Sequence, residues 1–313
     1  MADVIVRPRP ERLSAAAETL RQIKRRWFCY FMMFGTMALL VVFAYFPVFS
    51  AFYHSFTIWD GFTPARWAGL KNFREVFTHD VFRKGFANMG WLVGWEVIRS
   101  AVFPLICAAL MYRLRREGTA YFFRLVYVLP IIVPWVVAVL VWKMFYDPNI
   151  GLFNDILRGL GMQGSGWLTD PKTALRSLMF MGFPWMDGVA VLIFLAGLLA
   201  IPLEVVEASI VDGCGSFRRF FAIELPLIVP QIRLIVILRV ISAMQGFGWQ
   251  FLVTRGGPVY ATTVPAYRMY TEAMGSARFG LGCAVGLILF IVIFGLTMIN
   301  NKVIKADVEY DAN

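Results

Sequence analysis

Apolar residues in this chain run in long unbroken blocks rather than in the short alternations of a soluble domain. Trp27 to Tyr53 and Phe279 to Asn301 contain no Asp, Glu, Lys, Arg or His, and each exceeds the roughly 20 residues a helix needs to cross about 30 Å of hydrocarbon. Shorter or charge-interrupted blocks lie near 86–112, 122–144, 177–201 and 227–252. With spans near 28–53 and 279–301, the pattern predicts an all-α, polytopic membrane helix bundle of about six transmembrane helices. The strands of a membrane barrel would show as short alternating segments instead.

Composition points the same way. Only 16% of residues are charged and 59% are hydrophobic, with a mean hydropathy of +0.66, whereas soluble domains carry about 25% charge. The net charge of +10 gathers mostly at the ends of apolar blocks, so it reads as membrane topology and no nucleic-acid partner is expected. Cys29, Cys107, Cys214 and Cys283 form no C-x-x-C pair and read as small apolar residues. The sequence has no phosphate-binding G-x-x-x-x-G-K-[ST] loop, and His54 and His79 are too far apart for a helical zinc motif. No catalytic residue, no metal site and no bound cofactor are therefore expected, and the chain is not read as an enzyme.

Orientation follows from positive charge. The tail before the first block holds Arg7, Arg9, Arg12, Arg21, Lys24, Arg25 and Arg26, and the 113–121 link holds Arg113, Arg115 and Arg116; both are expected on the cytoplasmic side. Six spans then place the C-terminus and residues 203–225 on that side as well. The domain plan is a basic amphipathic cytoplasmic tail over 1–26, a six-span domain over 27–303 and a cytoplasmic tail over 304–313. In the first tail Leu13, Ala17, Leu20, Ile23 and Trp27 recur at helical spacing, which suits a helix on an anionic bilayer surface or a solvated one. That tail is too charged for a cleavable signal, so the first block is expected to remain as a span.

Ionisable groups at membrane depth are costly and so informative. Glu96 and Arg99 lie three apart on the second block and are expected to neutralise each other on one helix face. Asp187 and Arg239 have no same-helix partner at that spacing. Lys143 and Arg233 sit near block ends and can snorkel. Pro130, Pro134, Pro226 and Pro230 predict bends that neighbouring helices must accommodate. Gly282 and Gly286 form a G-x-x-x-G pattern that permits close helix approach. Gln245, Trp249 and Gln250, beside Gly246 and Gly248, offer amides and a ring of the kind that bind sugar hydroxyls and C–H faces. The same amides could simply tie helices together. With Asp187 they form the candidate substrate pathway.

The stretch EVVEASIVDGCGSFRRFFAIELP at 204–226 is too short and too charged to span. Residues 203–212 make about three helical turns, Gly213 suits the left-handed residue that ends a helix, Ser216 is placed to cap a second helix through 224, and Pro226 stands where a new span opens. Val205, Val206, Phe217, Phe220 and Phe221 supply apolar anchors, Ala208 and Ser209 are small, and Glu207 and Asp212 supply charge. That composition suits a rigid knob docking in a partner's groove.

Glu207, Ala208, Ser209, Gly213, Ile223, Leu225 and Pro226 resemble the E-A-A-x3-G-x9-I-x-L-P signature of membrane subunits of binding-protein-dependent ABC importers, with Ser209 the one exchange. The stretches WAGLKNFREVF (67–77), RLVYVLPIIVP (124–134), WLTDP (167–171), FLAGLLAIP (194–202), VTRGGP (253–258) and FGLGCAVG (279–286) look like landmarks of the carbohydrate-uptake permeases, which include maltose and glycerol-3-phosphate permease subunits. One departure is Gly248 after Phe247, where members commonly carry an acid.

The resemblance implies a prokaryotic inner-membrane permease subunit that pairs with a second, homologous permease subunit, two ATPase subunits that hold ATP and magnesium, and an extracytoplasmic solute-binding protein. It implies that 203–225 couples to the ATPase, with Glu207, Ala208, Ser209, Asp212, Gly213 and Phe217 as contact residues. It also places Gln245 near a polar sugar contact. A secondary transporter or channel working without an ATPase is the alternative, and it leaves 203–225 without a purpose.

Overall fold

The computed structural model describes residues 21–183 and 187–303. The amphipathic helix expected in the first tail falls largely outside the described residues, and the 304–313 tail falls wholly outside them. Internal contacts divide the chain into two units, Met1–Tyr53 and His54–Asn313.

In the first unit, helix α1 belongs to the span Trp27–His54. Its sequence is apolar on every face, and it buries none of its residues. A helix of that kind is at rest in lipid and unstable in water.

The second unit begins with a short antiparallel ladder, β1 (Thr57–Ile58) with β2 (Arg66–Trp67), pairing Thr57 with Trp67 and Ile58 with Arg66. Next come α2 (Lys71–Thr78) and α3 (Asp80–Tyr112). Helix α3 starts ahead of the charge-free part of its block because His79 caps it through the Val81 N–H. It is the central element, with α8 (Gly188–Leu199) and α11 (Val229–Gln245) packed along it.

The prolines act as breaks. Helix α4 (Glu117–Val128) runs through a tight turn, Leu129–Ile132, before α5 (Trp135–Phe145). The two arms meet at 90° across Pro134. The fourth block is not one helix, contrary to the single span expected at 177–201. It holds α7 (Ala174–Phe180) and, after a turn, α8, whose first turn is capped by Asp187 accepting from the Ala190 N–H. Helix α9 (Leu203–Val211) leaves α8 at 69°, and Pro202 is its N-cap. Before α11 the chain makes one turn at Leu225–Leu227, and Pro230 lies in the first turn of α11. Helices α12 (Pro265–Tyr270) and α13 (Phe279–Val303) complete the unit. Gly282 of α13 faces Ala273 and the Met269 carbonyl, so the expected close approach is made within the chain. Among the described residues, four helices are long and apolar enough to cross a membrane, or six spans if each bent pair counts as one.

Two apolar clusters sit at opposite ends of α3. At the Asp80 end, Phe82 and Met89 pack with Val264, Tyr267, Leu281 and Val285. At the Tyr112 end, Ala108 and Ala109 pack with Phe194, Leu198, Ile228 and Ile235.

Irregular segments are pinned by buried asparagines. Asn72 donates to the carbonyls of Ser55 and Thr57, and Asn88 to those of Tyr260 and Thr263. Asn154, in α6 (Leu152–Gly159), donates to the carbonyls of Pro148 and Ser165 and accepts from the Ser165 N–H and the Trp167 indole. All four of its hydrogen-bonding positions are thus used, in a side chain 1% exposed. Asn154→Ala is expected to destabilise the 147–170 segment by about 1–3 kcal/mol, since the Ser165 backbone and the Trp167 indole lose a buried partner, while the Pro148 carbonyl keeps Arg158. Faster limited proteolysis within 147–170 at unchanged cleavage elsewhere would show it, and wild-type cleavage would refute it.

Candidate functional site

Two places gather chemistry. The first is a cavity of about 230 Å³ between α3, α7 and the turn after α11. Leu92, Glu96 and Arg99, spaced i, i+4, i+7, form its α3 wall, and Trp95 stands beside them. Trp249 and Gln250 form the opposite wall. The turn exists because α11 stops at Gly246, whose backbone is extended. Gly248 then passes so close to the Trp135 ring that a Cβ would lie 2.7 Å from it. Helical winding resumes at Gly248 and widens into a π-turn over Gln250–Thr254.

Glu96 and Arg99 form the expected pair, and a fork of bonds at 2.6, 2.8 and 3.1 Å joins them. Both also face the cavity, a second role that mutual neutralisation alone did not suggest. The Ser100 hydroxyl donates to Glu96 at 3.3 Å. Trp95 donates its indole N–H to the Met179 carbonyl at 2.5 Å, which fixes the ring against α7. The cavity wall therefore offers carboxylate acceptors, guanidinium donors, an amide and two indole rings, with no net charge from its ion pair.

Of the four pathway candidates, the structure brings Trp249 and Gln250 together. Gln250 is buried and Trp249 half-buried. Gln245 is exposed at the last position of α11, outside the cavity wall. Asp187 lies outside it too: it is occupied as the α8 cap and by the Arg239 guanidinium at 2.6 Å. The two ionisable groups without a same-helix partner have found each other across α8 and α11. Asp187 Oδ2 and Arg239 Nε are buried without a hydrogen-bond partner among the described residues.

The second place is the 203–225 segment. Helix α9 ends at Gly213, whose φ of +73° is the left-handed value. No atom lies within 4 Å of where its Cβ would be, so the backbone angle, and not crowding, calls for glycine there. Ser216 does not cap the second helix. Gly215 occupies the cap position and Ser216 is the first residue of α10 (Ser216–Arg219), because the chain turns one residue earlier than expected. A π-turn, Phe220–Glu224, continues α10.

Glu207, Ala208, Asp212 and Gly213 are exposed on this segment, and Phe217 is 80% exposed. Ser209 is turned inward, buried, with its hydroxyl on the Val206 carbonyl at 2.6 Å. Glu224, which has no role in the sequence reading, is wholly buried between Arg113 and Arg219 at 2.8 and 2.9 Å. Its only sequence signal was an acid beside two arginines in a short segment. A further ionic cluster joins Glu75, Arg278, Glu272 and Arg268. The hydrogen bonds that the Arg278 guanidinium donates to Glu75 are the chief reason it is held above its ordinary pKa.

Residues 100–305 match the family described as binding-protein-dependent transport system inner membrane component. The diacetylchitobiose uptake system permease protein NgcF of Streptomyces coelicolor is 30% identical over 81% of this chain and 75% of its own length. The trehalose/maltose transport system permease protein MalF of Thermococcus litoralis is 30% identical over 88% and 92%. In fold, the chain is similar to one of the solved bacterial ABC transporter involved in import of the acidic polysaccharide alginate, with a TM-score of 0.82, 22% identity and coverage of 93% of this chain and all of the other.

The Asp187–Arg239 pair yields a stability prediction. Arg239→Leu alone is expected to cost about 3–5 kcal/mol by leaving a buried carboxylate uncompensated, while Asp187→Leu with Arg239→Leu should cost much less. Thermal unfolding of the detergent-extracted protein checks this, and equal losses in the single and double variants would refute it.

Proposed function

Because the chain belongs to the family of binding-protein-dependent transport system inner membrane components, we propose that it forms half of the translocation pathway of an ATP-driven importer for a sugar or related polyol. It couples to a separate ATPase through residues 203–225. The observation that carries the coupling is the exposure of Phe217 and Val211, at 80% and 86%, beside Glu207 and Asp212 on a segment held by a glycine corner. Large apolar side chains rimmed by acids suit a protein partner's groove.

In this reading a second, homologous permease subunit supplies the other half of the pathway. Two ATPase subunits, which hold ATP and magnesium, sit against 203–225 on the cytoplasmic side, where both termini of this chain also lie. An extracytoplasmic solute-binding protein delivers substrate from the opposite side. Closure of the ATPase dimer moves the segment and rocks the bundle from inward-facing to outward-facing, so nucleotide and loaded binding protein bias one two-state element.

The sugar reading rests on the cavity wall. Trp249 offers a ring face to C–H groups, while Gln250, Glu96 and Arg99 offer donors and acceptors to hydroxyls. It also rests on relatives that carry diacetylchitobiose, trehalose or maltose by name.

Two outcomes test the proposal. Glu207→Lys should leave the chain in the membrane but abolish uptake while ATP hydrolysis continues or the ATPase dissociates; normal uptake would refute the coupling role. Trp249→Ala should lower sugar uptake by about 10-fold or more, on the scale of about 1–3 kcal/mol for a lost hydrophobic contact in a specificity pocket. Uptake measured across substrate concentrations checks it, and unchanged kinetics would remove Trp249 from the pathway.

A further inference from the structure

The buried ion triad at the Tyr112 end of α3 has no part in the reading above. Glu224 is 0% exposed, and each of its oxygens is taken by a different arginine: Oε2 by Arg113 at 2.8 Å and Oε1 by Arg219 at 2.9 Å. Arg113 follows α3 directly and reaches in three directions. Nη1 donates to the Ala109 carbonyl of α3 at 2.8 Å, and Nη2 donates to Glu224 and, at 3.3 Å, to the Ser216 carbonyl of α10. Its guanidinium also lies 5.6 Å from the centre of the Phe220 ring. One side chain thus holds the last turn of α3, the start of α10 and the end of the π-turn together.

An apolar contact already exists here. Val206, Phe220 and Leu225 pack on the cluster that contains Ala108 and Ala109, and such contacts stabilise without fixing direction. Apolar surfaces can slide past one another, whereas a guanidinium fork holds one geometry. Burying a carboxylate between two partly exposed guanidinium groups is also no efficient way to gain stability, since apolar replacements of similar volume often do as well or better. The triad is better explained by geometry than by adhesion.

We propose that Glu224, clamped by Arg113 and Arg219, is a rigid joint that makes the 203–225 segment and α3 move as one body. On the importer reading, this delivers displacement of the segment to the Glu96–Arg99 wall of the cavity. From Arg113 to Arg99 is fourteen residues of nearly continuous helix, about 21 Å at 1.5 Å per residue. Glu224, Arg113 and Arg219 are positioning residues, and none of them touches the cavity.

The test places spin labels at two exposed sites outside the docking contacts, Leu203→Cys on α9 and Leu110→Cys on α3, in an otherwise cysteine-free chain purified with whatever subunits it retains. Distances are measured at rest and after trapping with ATP and vanadate. The joint predicts one narrow spacing that is the same in both states. Glu224→Gln should broaden it by about twofold or more, because both guanidinium groups lose the counter-charge that clamps them. Arg113→Lys is the milder variant: it keeps the charge and the fold but loses the fork, and it too should broaden the spacing. A wild-type spacing that shifts on trapping, or variants as narrow as wild type, would overturn the joint. If no ATPase is retained, the importer reading fails on that result alone, and the resting spacing in wild type and variants still decides the joint.

Discussion

Hydrocarbon offers no hydrogen bonds, so a membrane chain that interrupts a helix must supply partners for the freed backbone from within itself. This protein interrupts its helices repeatedly, at Pro130–Pro134, between α7 and α8, at Ala200–Pro202 and at Gly246–Gly248. At the α8 break, the Asp187 carboxylate takes the Ala190 N–H. At the break after α11, the Gly246 N–H stays on the Ser242 carbonyl and the next turn widens rather than opening to lipid. The longer irregular segments are organised by single buried asparagines, whose amides stand in for missing ladder partners. The cavity and the 203–225 segment both lie beside such breaks, where the backbone turns enough to expose something other than an apolar helix face.

Charge obeys the same constraint. Glu96 is held by Arg99 on α3, Asp187 by Arg239 across two helices, and Glu224 by two arginines across three segments. The three arrangements differ in what they leave accessible. The first opens to a cavity, the second joins a nearly buried carboxylate to a partly exposed guanidinium and leaves two buried atoms without a partner among the described residues, and the third is buried at its carboxylate and linked outward through backbone carbonyls. Similar residues thus line a cavity, tie two helices together or, on the proposal above, form a joint, according to which neighbours close over them.

What could be read in advance was whatever depends on sequence neighbours. Uncharged blocks announced helices, Pro130 and Pro134 announced a bend, the left-handed Gly213 followed from its place after α9, and Glu96 with Arg99 followed from helical spacing. The rest depends on encounters between distant segments. The Asp187–Arg239 pair could not be read because its members lie 52 residues apart, and the end of α11 at Gly246 is hidden inside an apolar block. The fourth block looked continuous because a hydropathy average hardly registers the turn at 181–183 or the single cap residue Asp187. Glu224 carried no signal of its own, since its meaning comes from Arg113, 111 residues earlier.

Those separations bear on how the protein is made. Arg113 waits for Glu224, Lys84 waits for the Val259 carbonyl, and Glu75 waits for Arg278, 203 residues later. During synthesis α3 must therefore rest in the bilayer with both ends unfastened, sustained by its own backbone bonds and by lipid, until nearly the last helix emerges. Helices that are stable one by one make this delay tolerable. The vulnerable interval in the life of this chain is thus the period between insertion and closure, when arginines and carboxylates destined for each other are still exposed to other partners.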